Sequence, residues 1–162
     1  MFHGPVHMSM KVSCHIHVVA RVLIGGFFVV VAAEKLLAPY ENFFYVIQGY
    51  DILPPFLARF AAMIVPWVEF FLGVFLVLGL WLKPVLRLSL LMISAFIIML
   101  TQAVLRKLPM QDCGCYGELL SLPLHVSILL DMGLFLAVGG LLKYFSKTSC
   151  MSLDRYFEAK NL

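Results

Sequence analysis

The chain has 162 residues, of which 62% are hydrophobic and 13% charged, and its formal net charge is +3; its mean hydropathy is +0.98. Soluble domains carry about 25% charged residues, so a water-soluble enzyme is excluded, and so small a net charge gives no basis for nucleic-acid binding. The length suits a single membrane domain, 1–162, with no room for a separate soluble unit.

The N-terminal stretch holds His3, His7, His15 and His17. Their irregular spacing, without a carboxylate partner, reads as solvated or headgroup-facing side chains, and no metal site is expected there. Four apolar runs of about 20 residues follow, each long enough to cross a hydrocarbon core of roughly 30 Å. They lie at about 16–37, 56–80, 85–105 and 124–144. The first run is too long for a signal peptide, lacks a small-residue cleavage site and ends in Glu34-Lys35, so it is expected to stay as a helix.

Between the first two runs, Tyr40, Phe43, Phe44 and Ile47 recur at helical spacing, which predicts a short interfacial helix ending at Leu53-Pro54-Pro55. The second run contains Pro66, Trp67 and Glu69. A proline there bends the helix and exposes carbonyls, making the surroundings of Pro66, Trp67 and Glu69 a candidate small-molecule pocket. Residues 81–84 form a tight turn, so the second and third spans are antiparallel neighbours. Gly25, Gly26, Gly73, Gly79, Gly133, Gly139 and Gly140 read as points of close helix contact. The predicted fold is all-α: a four-transmembrane-helix bundle with one short interfacial helix.

The connection at 106–123 contains Gln111-Asp112-Cys113-Gly114-Cys115-Tyr116-Gly117. A structural zinc site needs about four ligands, and Asp112, Glu118 and His125 under-supply one. A disulfide between Cys113 and Cys115 fits better. Its ring closes over Gly114, the residue that best tolerates a distorted backbone, and a strained disulfide accepts electrons readily from another thiol. A bridge that merely stiffens the loop is the plainer alternative, although one of such short span constrains an unfolded chain weakly.

Charges inside the spans are functional candidates by their cost. Glu34 and Lys35 end the first span, Glu69 lies near the middle of the second, and Asp131 lies about two turns inside the fourth. A carboxylate near the loop would take protons as thiols are oxidised, and Lys35 or Arg106 would favour a thiolate. The alternative is that Lys35 and Arg106 fasten helices together by pairing with Glu34, Glu69 or Asp131.

Orientation follows from the cations. Lys11, Arg21, Lys83, Arg87, Lys143, Lys147, Arg155 and Lys160 lie on one side, eight against the four of Lys35, Arg59, Arg106 and Lys107. Both termini are therefore expected in the cytoplasm, and Cys113 and Cys115 in the periplasm or outside the cell of a bacterium, with Cys14 and Cys150 on the reducing side.

In order, Arg21-Val-Leu-Ile-Gly25-Gly26 with Glu34-Lys35, Tyr50-Asp-Ile-Leu-Pro-Pro, Pro66-Trp-Val-Glu69 with Gly73, Asp112-Cys-Gly-Cys-Tyr-Gly117 and Asp131 resemble the methylamine utilisation protein MauE and its DoxX-like relatives, over about Val18 to Lys143. Tyr116 stands where the resemblance implies Phe. The resemblance implies a four-helix membrane bundle tied to disulfide formation, with Cys113 and Cys115 in the redox role. Asp112, Gly114, Glu34, Lys35, Glu69, Arg106 and Asp131 are the supporting candidates. Its expected work is maturation of an exported client, of the methylamine dehydrogenase small-subunit type, through that client or a thioredoxin-like protein. Quinone in the bilayer is the candidate electron acceptor. The alternatives are a non-enzymatic assembly factor, a quinone-linked oxidoreductase subunit of the DoxX type, and a metal-handling membrane protein.

Overall fold

The computed structural model describes residues 5–108, 113–114, 116 and 122–145. These residues form α1 (Pro5–Leu37), α2 (Tyr40–Gly49), α3 (Pro55–Leu78), α4 (Leu82–Leu105) and α5 (Leu124–Lys143), in that order. Four of them, α1 from Cys14 onward and the whole of α3, α4 and α5, are long and apolar enough to cross a membrane. The all-α bundle of four spans with a short helix between the first two is thus the fold observed. Helix α1 begins well before the expected position near residue 16, because a helix does not have to stop where its apolar face stops.

Proline and glycine set the boundaries. Pro39 follows α1 and disfavours helical geometry in the residue before it. Pro54 and Pro123 are the extended N-caps of α3 and α5, and Pro55 occupies the first turn of α3, where its missing N–H costs nothing. Gly79 ends α3 in a left-handed conformation (φ 72°), its N–H donating to the Phe75 carbonyl at 2.8 Å. Leu80 N–H donates to the same oxygen at 3.0 Å, which closes the short turn into α4. Pro66 lies inside α3 and is buried.

Helix α1 packs most extensively on α3, and α4 on α5, while α2 lies against α3. Gly25 and Gly73 make the first of these contacts close. A Cβ on Gly25 would lie 2.8 Å from the Gly73 carbonyl oxygen, and a Cβ on Gly73 would lie 2.8 Å from the Gly25 carbonyl oxygen. The other intraspan glycines differ from expectation: Cβ atoms at Gly26, Gly133, Gly139 and Gly140 would meet nothing within 4 Å. Small residues permit a close approach without specifying one.

One core, built on Phe28, Leu72, Leu76, Leu86, Ile93 and Val138, joins α1, α3, α4 and α5. A second, with Val31, Tyr50, Leu100, Ala103, Cys113 and Tyr116, joins one end of the bundle to the loop that follows α4. Phe43 and Ile47 fasten α2 to Ala58 and Ala62 of α3. Large apolar side chains such as Leu23, Phe60, Leu91, Ile98, Leu129 and Leu136 are exposed around the outside. Such a surface is incompatible with water and suits lipid.

Candidate functional site

The loop after α4 is drawn onto the end of the bundle by a small set of contacts. Cys113 N–H donates to the Leu122 carbonyl at 3.1 Å, tying the loop across itself. The Tyr50 hydroxyl, fully buried just past the end of α2, donates to the Cys113 carbonyl at 2.6 Å. Gly114 has φ 62°, and a Cβ there would lie 2.6 Å from a methyl of Val46. Glycine is therefore required twice over, once by the left-handed backbone and once by the approach of α2. The expectation that Gly114 serves backbone geometry thus acquires a second, steric reason.

Cys113 is 1% exposed. Asp112 and Cys115 fall outside the described residues; Cys113 itself is present as a buried thiol, so the expected Cys113–Cys115 disulfide is not formed in this structure. Cys14, at the far end of α1, is disulfide-bonded, to a partner outside the described residues. A disulfide there is not what the reducing environment expected for that end favours. Roughly 30 Å of helix, at 1.5 Å per residue, separates it from Lys35.

Tyr116 turns inward. Its ring meets Phe27 with centroids 5.7 Å apart, and its hydroxyl donates to Asp131 Oδ1 of α5. Asp131 is 4% exposed, and its Oδ2 is buried with no hydrogen-bond partner among the described residues. Beside it, Lys35 of α1 meets Glu69 of α3 with Nζ at 2.9 and 2.8 Å from the two carboxylate oxygens. Both side chains are buried, and the ammonium also stands 4.9 Å from the Phe43 ring and 5.4 Å from the Phe96 ring. Such a pair holds its charges in the bundle by bidentate geometry and aromatic faces in place of water.

Two hollows flank this pair. The inner cavity, of about 30 Å³, has Glu69, Tyr116 and Asp131 in an apolar wall that includes Phe27, Val31 and Phe96. The outer cleft, of about 450 Å³, is lined by Glu34, Lys35, Asn42, Phe43, Tyr45 and Gly114, among others. Lys35 thus borders the outer space and Glu69 the inner one. Pro66 and Trp67 line neither. Trp67 is 53% exposed and stacks on Phe71 at 6.3 Å, so it faces away from the inner cavity, and of the three expected pocket residues Glu69 alone lines that cavity.

Arg106 lies apart from the buried cluster. It bonds Asp51 through Nη2 to Oδ2 at 3.0 Å and Nη1 to the carbonyl at 3.2 Å, an exposed link from the loop to the α2–α3 connection. Of the expected cation partners, Glu69 therefore takes Lys35, and Arg106 takes a carboxylate that had not been considered. No group of three or more His, Cys, Asp or Glu residues suited to a metal occurs among the described residues.

A family model described as methylamine utilisation protein MauE matches residues 13–145. The chain belongs to the MauE family. The match covers all four spans and the loop of Cys113, so it describes the bundle as a whole. Searches of curated proteins and of solved structures found no match. Membership makes this a membrane protein of methylamine utilisation. Within this MauE bundle, reading the sequence picked out Lys35, Glu69, Asp131 and Cys113 but missed two hydroxyls, those of Tyr50 and Tyr116, that hold the loop in place. The sequence carried little signal for them, since Tyr50 stands beside Gln48 and Asp51 and Tyr116 between Asp112 and Glu118; only once a tyrosine is buried does its hydroxyl need a partner. Arg21, counted as a terminal-side charge, is 2% exposed inside the bundle.

Proposed function

We propose that this MauE-family protein is a thiol-disulfide redox protein of the bacterial inner membrane, and that it assists disulfide formation in an exported partner. The observation that carries the reading is the seating of Cys113. A cysteine of a Cys-Gly-Cys unit is buried at one end of the bundle, its carbonyl held by Tyr50 and its neighbour Gly114 at the wall of the outer cleft. A loop serving only as a connection has no need of that placement. The excess of Lys and Arg on the other side supports a periplasmic loop and cytoplasmic termini.

Burial orders the chemistry. A client or thioredoxin-like thiolate attacks the sulfur of Cys115; the client–Cys115 bond forms, the Cys113–Cys115 bond breaks, and Cys113 leaves as the thiolate. A second client thiolate then attacks the client sulfur of the mixed disulfide. The client disulfide forms, Cys115 is released, and two electrons remain on the loop as a dithiol. Restoring the loop disulfide then needs an acceptor of two electrons and two protons, chemistry that a membrane quinone would supply. Asp112, Glu34 and Arg106 lie in or around this loop in sequence or space and are supporting residues in the same reading.

The test replaces both cysteines. A C113S/C115S protein that still reaches the membrane is expected to leave the client unoxidised, read as the client's free thiols by alkylation and mass. Normal client maturation by that protein would overturn the exchange mechanism and favour a non-enzymatic assembly role.

A further inference from the structure

The inner cavity has an owner that the thiol chemistry does not name. Its volume of about 30 Å³ exceeds the 10–15 Å³ or so that a water requires. Its polar atoms are few and face one another: the Glu69 carboxylate from α3 and the Asp131 carboxyl from α5, with the Tyr116 hydroxyl already donated to Asp131 Oδ1. Asp131 Oδ2, in a residue 4% exposed, is buried with no hydrogen-bond partner among the described residues. A buried carboxyl oxygen beside a water-sized space is the situation that ordered water resolves.

Charge completes the argument. Among the described residues, the ionisable groups at or next to this cavity are Lys35 from α1, Glu69 from α3, Tyr116 from the loop and Asp131 from α5, while α4 contributes the apolar Ile93 and Phe96. With Lys35, Glu69 and Asp131 all ionised the cluster carries one net negative charge. With one proton added it is neutral, which is the state a low-dielectric interior favours. Tyr116 donating to Oδ1 leaves Oδ2 as the atom to carry that proton and to donate it to water.

We propose that this cavity is a hydrated proton-binding site, in which water joins Asp131 Oδ2 to the Glu69 carboxylate and the cluster holds one exchangeable proton. The site stands by itself; its use by Cys113 rests on the exchange reading above. When Cys113 leaves as a thiolate, sealed from bulk water, one proton passes to it from the site and makes the thiol. The site recovers a proton from the outer cleft, which Lys35 borders on one side while binding Glu69 on the other.

Infrared difference spectroscopy of the purified full-length protein in lipid nanodiscs, on changing H2O for D2O, reads this directly. The expected result is one protonated-carboxyl C=O band that shifts in D2O and disappears in D131N. In Tyr116→Phe, which removes the hydrogen bond to Oδ1, the band is expected to persist at higher frequency. Absence of an exchangeable carboxyl band in the wild type, its survival in D131N, or an unmoved band in Tyr116→Phe would each overturn the site. The wild-type and Tyr116→Phe spectra decide the matter even if D131N does not fold. The C113S/C115S protein separates the two readings. If exchange fails and the proton site holds, this variant matures the client normally and keeps the band; if the site fails and exchange holds, the band is missing from the wild type and the cysteines are still required.

Discussion

At the scale of single residues, the molecule is organised by a few polar atoms in apolar surroundings. The Tyr50 hydroxyl bond to the Cys113 carbonyl is buried, and a bond of this kind contributes about 0.5–1.5 kcal/mol. Tyr50→Phe is expected to raise the rate of Cys113 alkylation in the reduced protein roughly two- to ten-fold, since loop opening becomes easier by that amount. An unchanged rate would mean that Tyr50 does not hold the loop. The Lys35–Glu69 pair makes a sharper prediction. Lys35→Met strands a buried carboxylate and is expected to cost about 3–5 kcal/mol, whereas K35M/E69L is expected to recover most of it. Reversible unfolding in mixed micelles measures both. Lys35, Glu69 and Asp131 were legible in the sequence because a charge in an apolar run is conspicuous. Their partners were not, because pairing depends on helix rotation, which no single run encodes: Glu69 was one of three carboxylates open to Lys35, and Asp51 was not among those considered for Arg106.

At the scale of the helices, the close crossing of α1 and α3 is set by two glycines facing each other. Gly73→Leu would place a Cβ 2.8 Å from the Gly25 carbonyl and 2.9 Å from the Val29 nitrogen. Helix backbone cannot yield as a side-chain tip can, so a loss of about 1–3 kcal/mol is expected. Gly139→Leu, where a Cβ meets nothing within 4 Å, is the matched control and is expected to be close to neutral. Equal losses in the two variants, measured by the same unfolding assay, would refute the packing account. The spans themselves were legible to within a few residues because length and hydropathy are properties of one segment. Which glycines touch another helix is a property of two, so Gly25 and Gly73 could not be told from Gly26 and Gly133. The far side of α3 from Trp67 holds the cavity for the same reason: a proline marks a helix without saying which face of it is hollow.

At the scale of the whole molecule, charge distribution and cysteine chemistry make opposing demands. The proposed orientation, drawn from the counts of Lys and Arg, has the termini in the cytoplasm, while the disulfide at Cys14 lies at that same end. In sealed, right-side-out vesicles, a membrane-impermeant reductant followed by an impermeant alkylating reagent is expected to modify Cys113 and Cys115 and to leave Cys14 unmodified. Modification of Cys14 in place of the loop would reverse the orientation. The four spans and the presence of a cysteine-bearing loop between the last two were legible from composition and from the Cys-Gly-Cys unit. The seating of that unit was not, since it depends on Val46 and Tyr50 from α2 and its end, and Asp131 from α5, reaching the same end of the bundle.

The bidentate pair between Lys35 and Glu69 also constrains how the protein is made. The two residues are 34 positions apart, on the first and second spans. An acidic residue near the middle of a span, as Glu69 is, raises the cost of passing from the translocon into lipid by about 2.5–3.5 kcal/mol, and Lys35, close to the end of its span, adds a smaller cost. Neither span need bear that cost if both leave the translocon together, neutralised as a helical hairpin with α2 folded at its tip. The ion pair would then act during synthesis, coupling the release of α1 to the arrival of α3.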